Sequence, residues 1–341
     1  MFAIRSLRIV LIFLVGLSSA IAQISFQAAF WNVENLFDTA NDVSTQDDDF
    51  TPAGRYAWSE TQLLKKYYDL STVIHDISRD GELALLGLAE IENRSVLERL
   101  NTDFIKSGYQ IIHKESPDER GIDCALLYDP DILYLKRHQF IPVFLAGNEK
   151  TRDIIEAEFV FSQNSGAPSI YVFVNHWPSR WGGQSETEPL RLATALTLRT
   201  RIDEILMIDP GADIILMGDF NDYPDNRSLY EVLRARDLIP KLNPGDLINT
   251  TWRTHSDPYL GTCMFDGAWV TLDQIIISPG LMDKKGFTWQ FGTTAPFRPD
   301  YLIEADGEYA GWPFRMHRRG EYNGGYSDHL PIRCQISVTD S

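Results

Sequence analysis

The sequence lacks the signatures of several common enzyme classes. It contains no Cys-x-x-Cys pair and no His-Glu-x-x-His run, the usual signs of a zinc site. It also has no phosphate-binding Walker loop, no Gly-x-Gly-x-x-Gly fingerprint and no Gly-x-Ser-x-Gly elbow. Chemistry of those types is therefore not indicated, and any catalytic site must be built from other residues.

Cysteine is scarce. The 341 residues include 3 cysteines, Cys124, Cys263 and Cys334, each in an apolar context. Such cysteines are typically buried free thiols, and one disulfide is the alternative. The sequence predicts three buried thiols.

Basic residues are outnumbered, with 31 Lys and Arg against 48 Asp and Glu, a formal net charge of −17. Non-specific phosphate binding depends on Lys and Arg displacing counterions, so an acidic surface does not gather nucleic acid by itself. Phosphate chemistry in this chain would need divalent cations or a local basic patch.

Long apolar runs are absent after the first residues of the chain. Residues 1–22 have the pattern of a signal peptide, with Arg5 and Arg8, the apolar run Ile9–Leu17 and small Ala20 and Ala22. A membrane anchor is the alternative, but the run is short for a span and no stop-transfer cluster follows. We expect cleavage before Gln23 and an extracytoplasmic mature chain, with 29 basic and 48 acidic residues and a charge of −19.

No Pro/Ser/Gly-rich linker, low-complexity tract or repeat divides residues 23–341, which we expect to form a single catalytic domain. Strand-like and helix-like segments alternate, which is typical of an α/β layered fold. The predicted helices are Ser59–Ser78 with Ser59 as N-cap, Glu188–Ile208 and Ser228–Ala235. The predicted strands include Ile24–Phe30, Leu83–Ala89, Tyr109–His113, Asp123–Tyr128, Ile132–Leu135, Phe140–Leu145, Ile154–Phe161, Ser169–Val174 and Ile214–Met217.

Polar side chains follow several of these strands directly. Asp219 and Asn221 follow the apolar run Ile214–Met217, Asn32 follows the first strand, and Glu90 ends the second. Asp and Asn suit ordinary turns, and a buried amide or carboxylate can be purely structural. A carboxylate that ends a buried strand is nevertheless costly unless it is paired or holds a metal.

Two histidines have the same position at strand ends. His176 is followed by a Pro/Gly-rich loop with Arg180, which suits contact with an anion. Asp328 and His329 precede the closing strand, and Asp273 enters a strand between apolar neighbours. A lone histidine is more often structural. Each histidine, taken alone, could therefore be either structural or part of a functional site.

Two charged segments each allow two interpretations. The acidic loop Asn41–Thr51 is a solvated loop or a surface calcium site. The cluster Arg315, His317, Arg318 and Arg319 is the only dense basic group in the mature sequence. It is a solvated face or a guide for a phosphate-bearing substrate.

Together these residues supply carboxylate and amide oxygens and two imidazoles. Oxygen ligands select hard ions, Mg²⁺ foremost, with Mn²⁺ or Ca²⁺ as alternatives. A hard ion beside an acid/base histidine suits hydrolysis of a phosphate ester.

Six motifs in order resemble the endonuclease/exonuclease/phosphatase superfamily: W-N-V-E-N, L-A-E-I-E-N, V-N-H-W-P-S-R, M-G-D-F-N-D, L-D-Q-I-I-I-S and S-D-H-L-P-I. Each motif is weak alone, but the ordered set is specific. The resemblance implies a four-layer α/β sandwich, two packed mixed β-sheets flanked by helices, with the site at one end of the sheets. It covers Phe26 to Ile332.

The resemblance also implies residue roles. Glu90 would bind Mg²⁺ with Asn32 and Asp328. Asp219 would orient and deprotonate water, and Asn221 would hold the water or a phosphate oxygen. His329, fixed by Asp273, and His176 would contact the scissile phosphate. Apart from the resemblance, the position of Arg180 in the loop after His176 makes it a candidate substrate-binding residue.

The resemblance leaves the substrate open. Nucleases of the superfamily often carry a basic residue where this chain has Glu92, and the P-A-W-C-D-R signature of inositol 5-phosphatases is absent. Our expectation is a secreted, monomeric, metal-dependent endonuclease acting on nucleic-acid phosphodiesters. The alternatives are a phosphodiesterase or phosphatase for lipid head groups or small phosphoesters, and an inactive binding module.

Overall fold

The computed structural model describes residues 24–161, 168–238 and 241–338. Its strands in chain order are β1 (Ile24–Leu36), β2 (Leu83–Ile91), β3 (Gln110–His113), β4 (Asp123–Tyr128), β5 (Leu133–Ile141), β6 (Ile154–Phe161), β7 (Ile170–His176), β8 (Asp213–Asp219), β9 (Ala235–Arg236), β10 (Leu247–Asn249), β11 (Cys263–Phe265), β12 (Ala268–Val270), β13 (Asp273–Ile277), β14 (Phe287–Trp289), β15 (Ala295–Pro296), β16 (His317–Arg318), β17 (Glu321–Tyr322) and β18 (Ile332–Val338). The α-helices are α1 (Glu60–Ser78), α2 (Arg94–Arg99), α3 (Gln184–Ile208) and α4 (Trp252–Ser256). The predicted signal peptide lies outside the described residues.

Most strands belong to two large mixed sheets. The first has the order β14-β18-β1-β2-β4-β3, with β15 also paired to β18. The second has the order β5-β6-β7-β8-β13-β10-β9. Strands β1 and β2 are parallel, as are β7 and β8, while β18 and β13 run antiparallel to their neighbours β1 and β8.

The alternation of side chains along β1 shows how the layers form. Phe26 and Phe30 lie in the core between the sheets, in the same cluster as Met217 of β8. Trp31 points the other way and packs in the cluster that contains the apolar face of α1. A third cluster lies between the second sheet and α3. The fold is therefore a four-layer α/β sandwich, as predicted.

Helix α1 begins as the sequence indicates. Ser59 is the N-cap, and its side-chain oxygen accepts the backbone N–H of Gln62, while the Gln62 side chain accepts the N–H of Ser59. This capping box satisfies donors that the first turn leaves unpaired.

Strand β5 corrects one prediction. The polar residues between Leu135 and Phe140 indicate a break between two short strands, but Leu133–Ile141 is one strand with a register shift. Because β5 is a sheet edge, its polar side chains face solvent or pair with β6. Lys136 and Arg137 both bind Glu158.

The predicted helix Ser228–Ala235 is also wrong in extent. A π-helical turn, Ser228–Val232, ends before Arg234, whose φ of 62° lies in the left-handed region. The chain then enters β9 and pairs with β10. The edge pairing therefore overrides the local helical spacing.

All three cysteines are buried free thiols, which confirms that prediction. No helix within the described ranges has the length and apolar character needed to cross a membrane.

Candidate active site

Strand pairing in the second sheet brings three predicted site residues side by side. In the parallel pair β7–β8, His176 is in register with Asp219, and in the antiparallel pair β8–β13, Asp219 is in register with Asp273. The His176 Nε2 atom lies 3.7 Å from Asp219 Oδ2. The site therefore begins at the carboxyl ends of β7 and β8.

The first sheet contributes Asn32 and Glu90 at the matching end. Asn32 Nδ2 donates to Glu90 Oε1 (3.2 Å) and to Asp219 Oδ2 (3.1 Å), so this amide connects the two sheets. Its Oδ1 accepts the Glu34 backbone N–H at 3.1 Å. These contacts orient Glu90 and Asp219, and the metal-ligand role of Asn32 stays a prediction.

The backbone at this end of the sheets is irregular. Glu34, Asn35, Glu90 and Asn221 all have positive φ values, between 50° and 63°. The β1–β2 pairing changes register between Asn32 and Leu36. Strain of this kind persists where surrounding contacts enforce it, and bulges redirect side chains. Here the Asn35 N–H donates to Glu90 Oε2 at 3.0 Å, which holds the carboxylate.

His329 and Asp273 form a tight pair. His329 Nδ1 lies 2.7 Å from Asp273 Oδ2, and His329 Nε2 lies 4.0 Å from Asp219 Oδ2. Burial opposes a charge on the imidazole, but the Asp273 carboxylate holds the pKa of His329 well above its usual range. The ring is thus oriented with its second nitrogen toward the strand ends.

Cys263 is a neighbour of this pair that the motif analysis did not single out. It forms a β-bridge with His329, and its sulfur and the ligand atoms of Asp273 and His329 lie within 4.8 Å of one another. Burial raises the pKa of the thiol, however, and Asp273 already binds His329 Nδ1. We therefore interpret the group as an oriented imidazole and not as a metal centre.

Asp219 lies at the centre of the site and is fully buried. Burial and the charge of Asp273 raise its pKa to about 6 even though His329 opposes the shift. The Asn221 N–H donates to Asp219 Oδ1 at 3.0 Å, and Asn221 Nδ2 donates to the Trp177 carbonyl. Asn221 therefore orients Asp219 directly.

His176 is electrically different from His329. Burial, together with the guanidinium groups of Arg152 and Arg120, holds the pKa of His176 well below its usual range. Its Nδ1 is buried without a hydrogen-bond partner among the described residues. The surroundings of the two imidazoles thus shift their pKa values in opposite directions.

Asp328 directly precedes His329 in the chain. Its side chain is 32% exposed, and Arg315 Nη2 lies 3.0 Å from its Oδ2. Arg315 also donates through Nε to Glu34 Oε1 at 3.1 Å. Burial raises the pKa of Asp328, but the positive charges of Arg315 and His329 lower it by more. The pKa of this carboxylate is therefore held below its usual range.

Glu34 and Lys66 also lie beside the predicted site residues, and the sequence motifs did not identify them as functional. Glu34 accepts the backbone N–H groups of Met316 and His317, which anchors the segment carrying Arg315. Buried Lys66 donates to the Tyr326 and Val33 carbonyls, and burial lowers its pKa to about 8. Lysine on the apolar face of α1 was the available sequence signal.

Arg180 is bound to the protein. It donates through Nε to the Asn221 carbonyl at 2.7 Å and through Nη2 to Asp222 and Asn226. Its guanidinium also stacks 3.9 Å from the Tyr223 ring centroid. These contacts fix the loop after β8, and the predicted substrate contact remains an expectation.

The four residues of the basic cluster have different contacts. Arg318 pairs with Glu304 and Arg319 with Glu308, while His317 is buried against aromatic rings. Arg315 alone among them reaches the predicted site residues, through Asp328. Most of the cluster is therefore neutralised locally.

The donor set suits a hard cation. Glu90, Glu34 and Asp328 supply carboxylate oxygens, and their charges all act on Arg315. Burial and Asp328 raise the pKa of Glu34 to about 7, a sign of crowded negative charge. Mg²⁺ prefers such oxygen ligands, and Glu90 and Asp328 stay the residues predicted to hold it.

The fold and these side chains define a class of two-sheet α/β hydrolases with carboxylates and paired histidines at one end. A model of the Endonuclease/Exonuclease/phosphatase family matches residues 27–338. The chain belongs to this family, whose members are phosphoester hydrolases. No curated protein sequence matches the chain.

Solved structures share the fold at low identity. Truncated Caenorhabditis elegans TDP2 is 17% identical with a TM-score of 0.54, covering 93% of this chain and 98% of that chain. D. rerio TDP2, complexed with a single-strand DNA product, is 14% identical with a TM-score of 0.55, covering 92% and 98%. The human Nocturnin catalytic domain with bound sulfate is 18% identical with a TM-score of 0.53, covering 93% and 95%.

Proposed function

We propose that this protein is a divalent-metal-dependent phosphodiesterase that cleaves nucleic acid internally by attack of water on phosphorus. The observation that carries the proposal is the contact of Asp219 with residues of both sheets. Asp219 Oδ2 accepts from Asn32 and lies 3.7 Å from His176 Nε2 and 4.0 Å from His329 Nε2. These groups are close enough to act on one phosphate.

Asp219 is the proposed base. Its carboxylate would accept a proton from water as the water oxygen forms its bond to phosphorus. Asn221 and Asn32 hold the two Asp219 oxygens, so the carboxylate is oriented before substrate binds.

The histidines are the proposed contacts to the phosphate. His329, oriented by Asp273, would donate from Nε2 to a phosphate oxygen or to the departing oxygen as its bond to phosphorus breaks. Neutral His176 would contact the phosphate from the other side. Mg²⁺ held by Glu90 and Asp328 would neutralise charge on the non-bridging oxygens when bound.

Nucleic acid is the proposed substrate class. The D. rerio TDP2 structure was obtained with a single-strand DNA product, which supports this choice for a chain of the same fold. Against it stands the acidic composition, which limits binding through general electrostatics. Recognition would therefore depend on local contacts near the site.

The decisive experiment compares substrates with and without metal. Purified protein with Mg²⁺, Mn²⁺ or Ca²⁺ is assayed on plasmid DNA, single-stranded DNA, RNA, sphingomyelin vesicles, inositol phosphates and bis-p-nitrophenyl phosphate. We expect hydrolysis of nucleic acid that EDTA abolishes and that His329→Ala loses. His138→Ala, an exposed histidine of edge strand β5, is the matched control.

Other outcomes select the alternatives. Release of lipid head groups or phosphate with intact DNA would identify a lipid or small-molecule phosphoesterase. If wild type and Asp219→Ala are equally inactive on every phosphoester, the result supports the binding-module alternative.

We further propose export with cleavage before Gln23, and a monomeric mature protein. N-terminal sequencing of the mature protein from its natural source tests the first. Light scattering of the purified domain tests the second.

A further inference from the structure

A cleft of about 450 Å³ is lined by residues from both large sheets. One wall comes from β10 of the second sheet and from α4, which follows β10 in the chain. The other wall comes from β14 and β15, which belong to the first sheet, and from the loop that connects them. A cleft of this volume is within the range of small-ligand sites.

The walls are rich in aromatic rings. Trp252, Trp289 and Phe291 all line the cleft. Phe291 is 74% exposed, whereas Trp289 is 5% exposed and fixed by donating through Nε1 to Thr294 Oγ1. A planar ring entering the cleft would therefore meet aromatic surfaces, as in base stacking.

Two arginines at the cleft lack acidic partners. Most arginines in the described ranges form ion pairs, but Arg253 and Arg298 form none there. Arg298 instead donates to the Tyr259 carbonyl and stacks 4.3 Å from the Trp269 ring centroid, and burial lowers its pKa. Asp237 is the single carboxylate residue among the described lining residues. The cleft therefore favours an anion in a protein that is otherwise acidic.

The same walls lead directly to the catalytic pair. Gly261 lines the cleft, and the next residue, Thr262, accepts the Asp273 backbone N–H on its Oγ1 at 3.2 Å. Cys263, which follows, bridges to His329. Two residues of extended chain span roughly 7 Å. A substitution at Gly261 would disturb both regions, since a Cβ there would lie 2.6 Å from the Val270 carbonyl oxygen.

Strand β15 and the residue after β10 also pair with residues near the catalytic pair in the chain. The Thr250 N–H donates to the carbonyl of Ile275, which is two residues after Asp273. Pro296 pairs with Ile332, three residues after His329. The cleft thus adjoins the end of the sandwich that carries the site.

We infer that this cleft binds one nucleotide unit next to the scissile phosphodiester, with its base among the aromatic rings and its phosphate at Arg253 and Arg298. The inference rests on the proposed nuclease function. An acyl chain would use the apolar walls but not the two guanidinium groups. A phosphate attached to a planar ring uses both.

Paired substrates test the inference. The double variant Arg253→Gln/Arg298→Gln, and separately Trp252→Ala, are compared with wild type on a short single-stranded DNA and on bis-p-nitrophenyl phosphate. We expect KM for the DNA to rise about tenfold, with kinetics on the small diester unchanged. Arg55→Gln, at another arginine without an acidic partner among the described residues, is the control and should leave both substrates unchanged.

Two results would overturn the inference: unchanged kinetics on DNA, or an equal loss on both substrates. Tryptophan fluorescence with dAMP adds a binding readout, in which wild type should be quenched and Trp252→Ala much less. The proposed function fails separately if wild type does not cleave nucleic acid at all.

Discussion

His329 Nδ1 lies 2.7 Å from Asp273 Oδ2, although the two residues are 56 positions apart in the chain. Asp273 is wholly buried, and its backbone N–H is held by Thr262 Oγ1. The carboxylate is therefore fixed, and it determines which imidazole nitrogen is left to face Asp219.

Asp273→Asn should lower kcat by at least about a hundredfold, the usual contribution of an oriented acid/base group. Asparagine cannot stabilise the charged imidazole, while KM should change little. Initial rates on bis-p-nitrophenyl phosphate measure the effect. Asp266→Asn, in the exposed turn between β11 and β12, is the control. Wild-type kcat in Asp273→Asn would contradict the assignment.

Arg315→Gln should weaken Mn²⁺ binding at the proposed metal site by about tenfold, because groups that orient a ligand commonly contribute that much to metal affinity. The lost positive charge acts in the opposite direction, but Asp328 also loses the contact that orients it. Isothermal titration of the purified protein measures the affinity directly. Arg319→Gln, whose ion pair with Glu308 is exposed, should bind Mn²⁺ normally. Equal or tighter binding by Arg315→Gln would refute the prediction.

Asp222→Ala should destabilise the fold by about 3–5 kcal/mol, the cost of leaving buried charges without their partner. Arg191 Nε lies 2.9 Å from Asp222 Oδ1 in an ion pair that lacks hydrogen-bond alignment, and Arg180 also binds this carboxylate. Urea unfolding measures the change. Asp225→Ala, an exposed neighbour, should stay within about 0.5 kcal/mol of wild type. Similar midpoints for both variants would show that the pair contributes little.

Stability should fall as pH rises from about 4 to about 8 because of Asp213. Burial raises the pKa of this carboxyl from 3.8 to about 8, so the folded state keeps a proton that the unfolded state releases. Asp213→Asn keeps an acceptor for the Phe287 N–H and should remove this part of the pH dependence. Thermal unfolding at several pH values gives the comparison. The difference in melting temperature between the variant and wild type should be larger at pH 8 than at pH 4. A difference that is no larger at pH 8 would contradict the assignment.

The sequence predicted the buried strands and the start of helix α1 well, because the local signals there were strong. The run Ile214–Met217 predicted the core of β8, and Ser59 as N-cap predicted the start of α1. It failed at β5 and β9, because an edge strand can be polar and because a short edge pairing can override helical spacing.

Local sequence determined which residue types stand at strand ends, since apolar runs and the polar residues after them are legible along the chain. It did not determine that Arg180 donates its hydrogen bonds to the loop after β8. Nor did it determine that Glu34 and Lys66 lie near Asp328 and Glu90. Those relationships arise from register between distant strands and from the closing of loops over the sheet ends. Pairing across the sheets decides them, and no stretch of neighbouring residues encodes it.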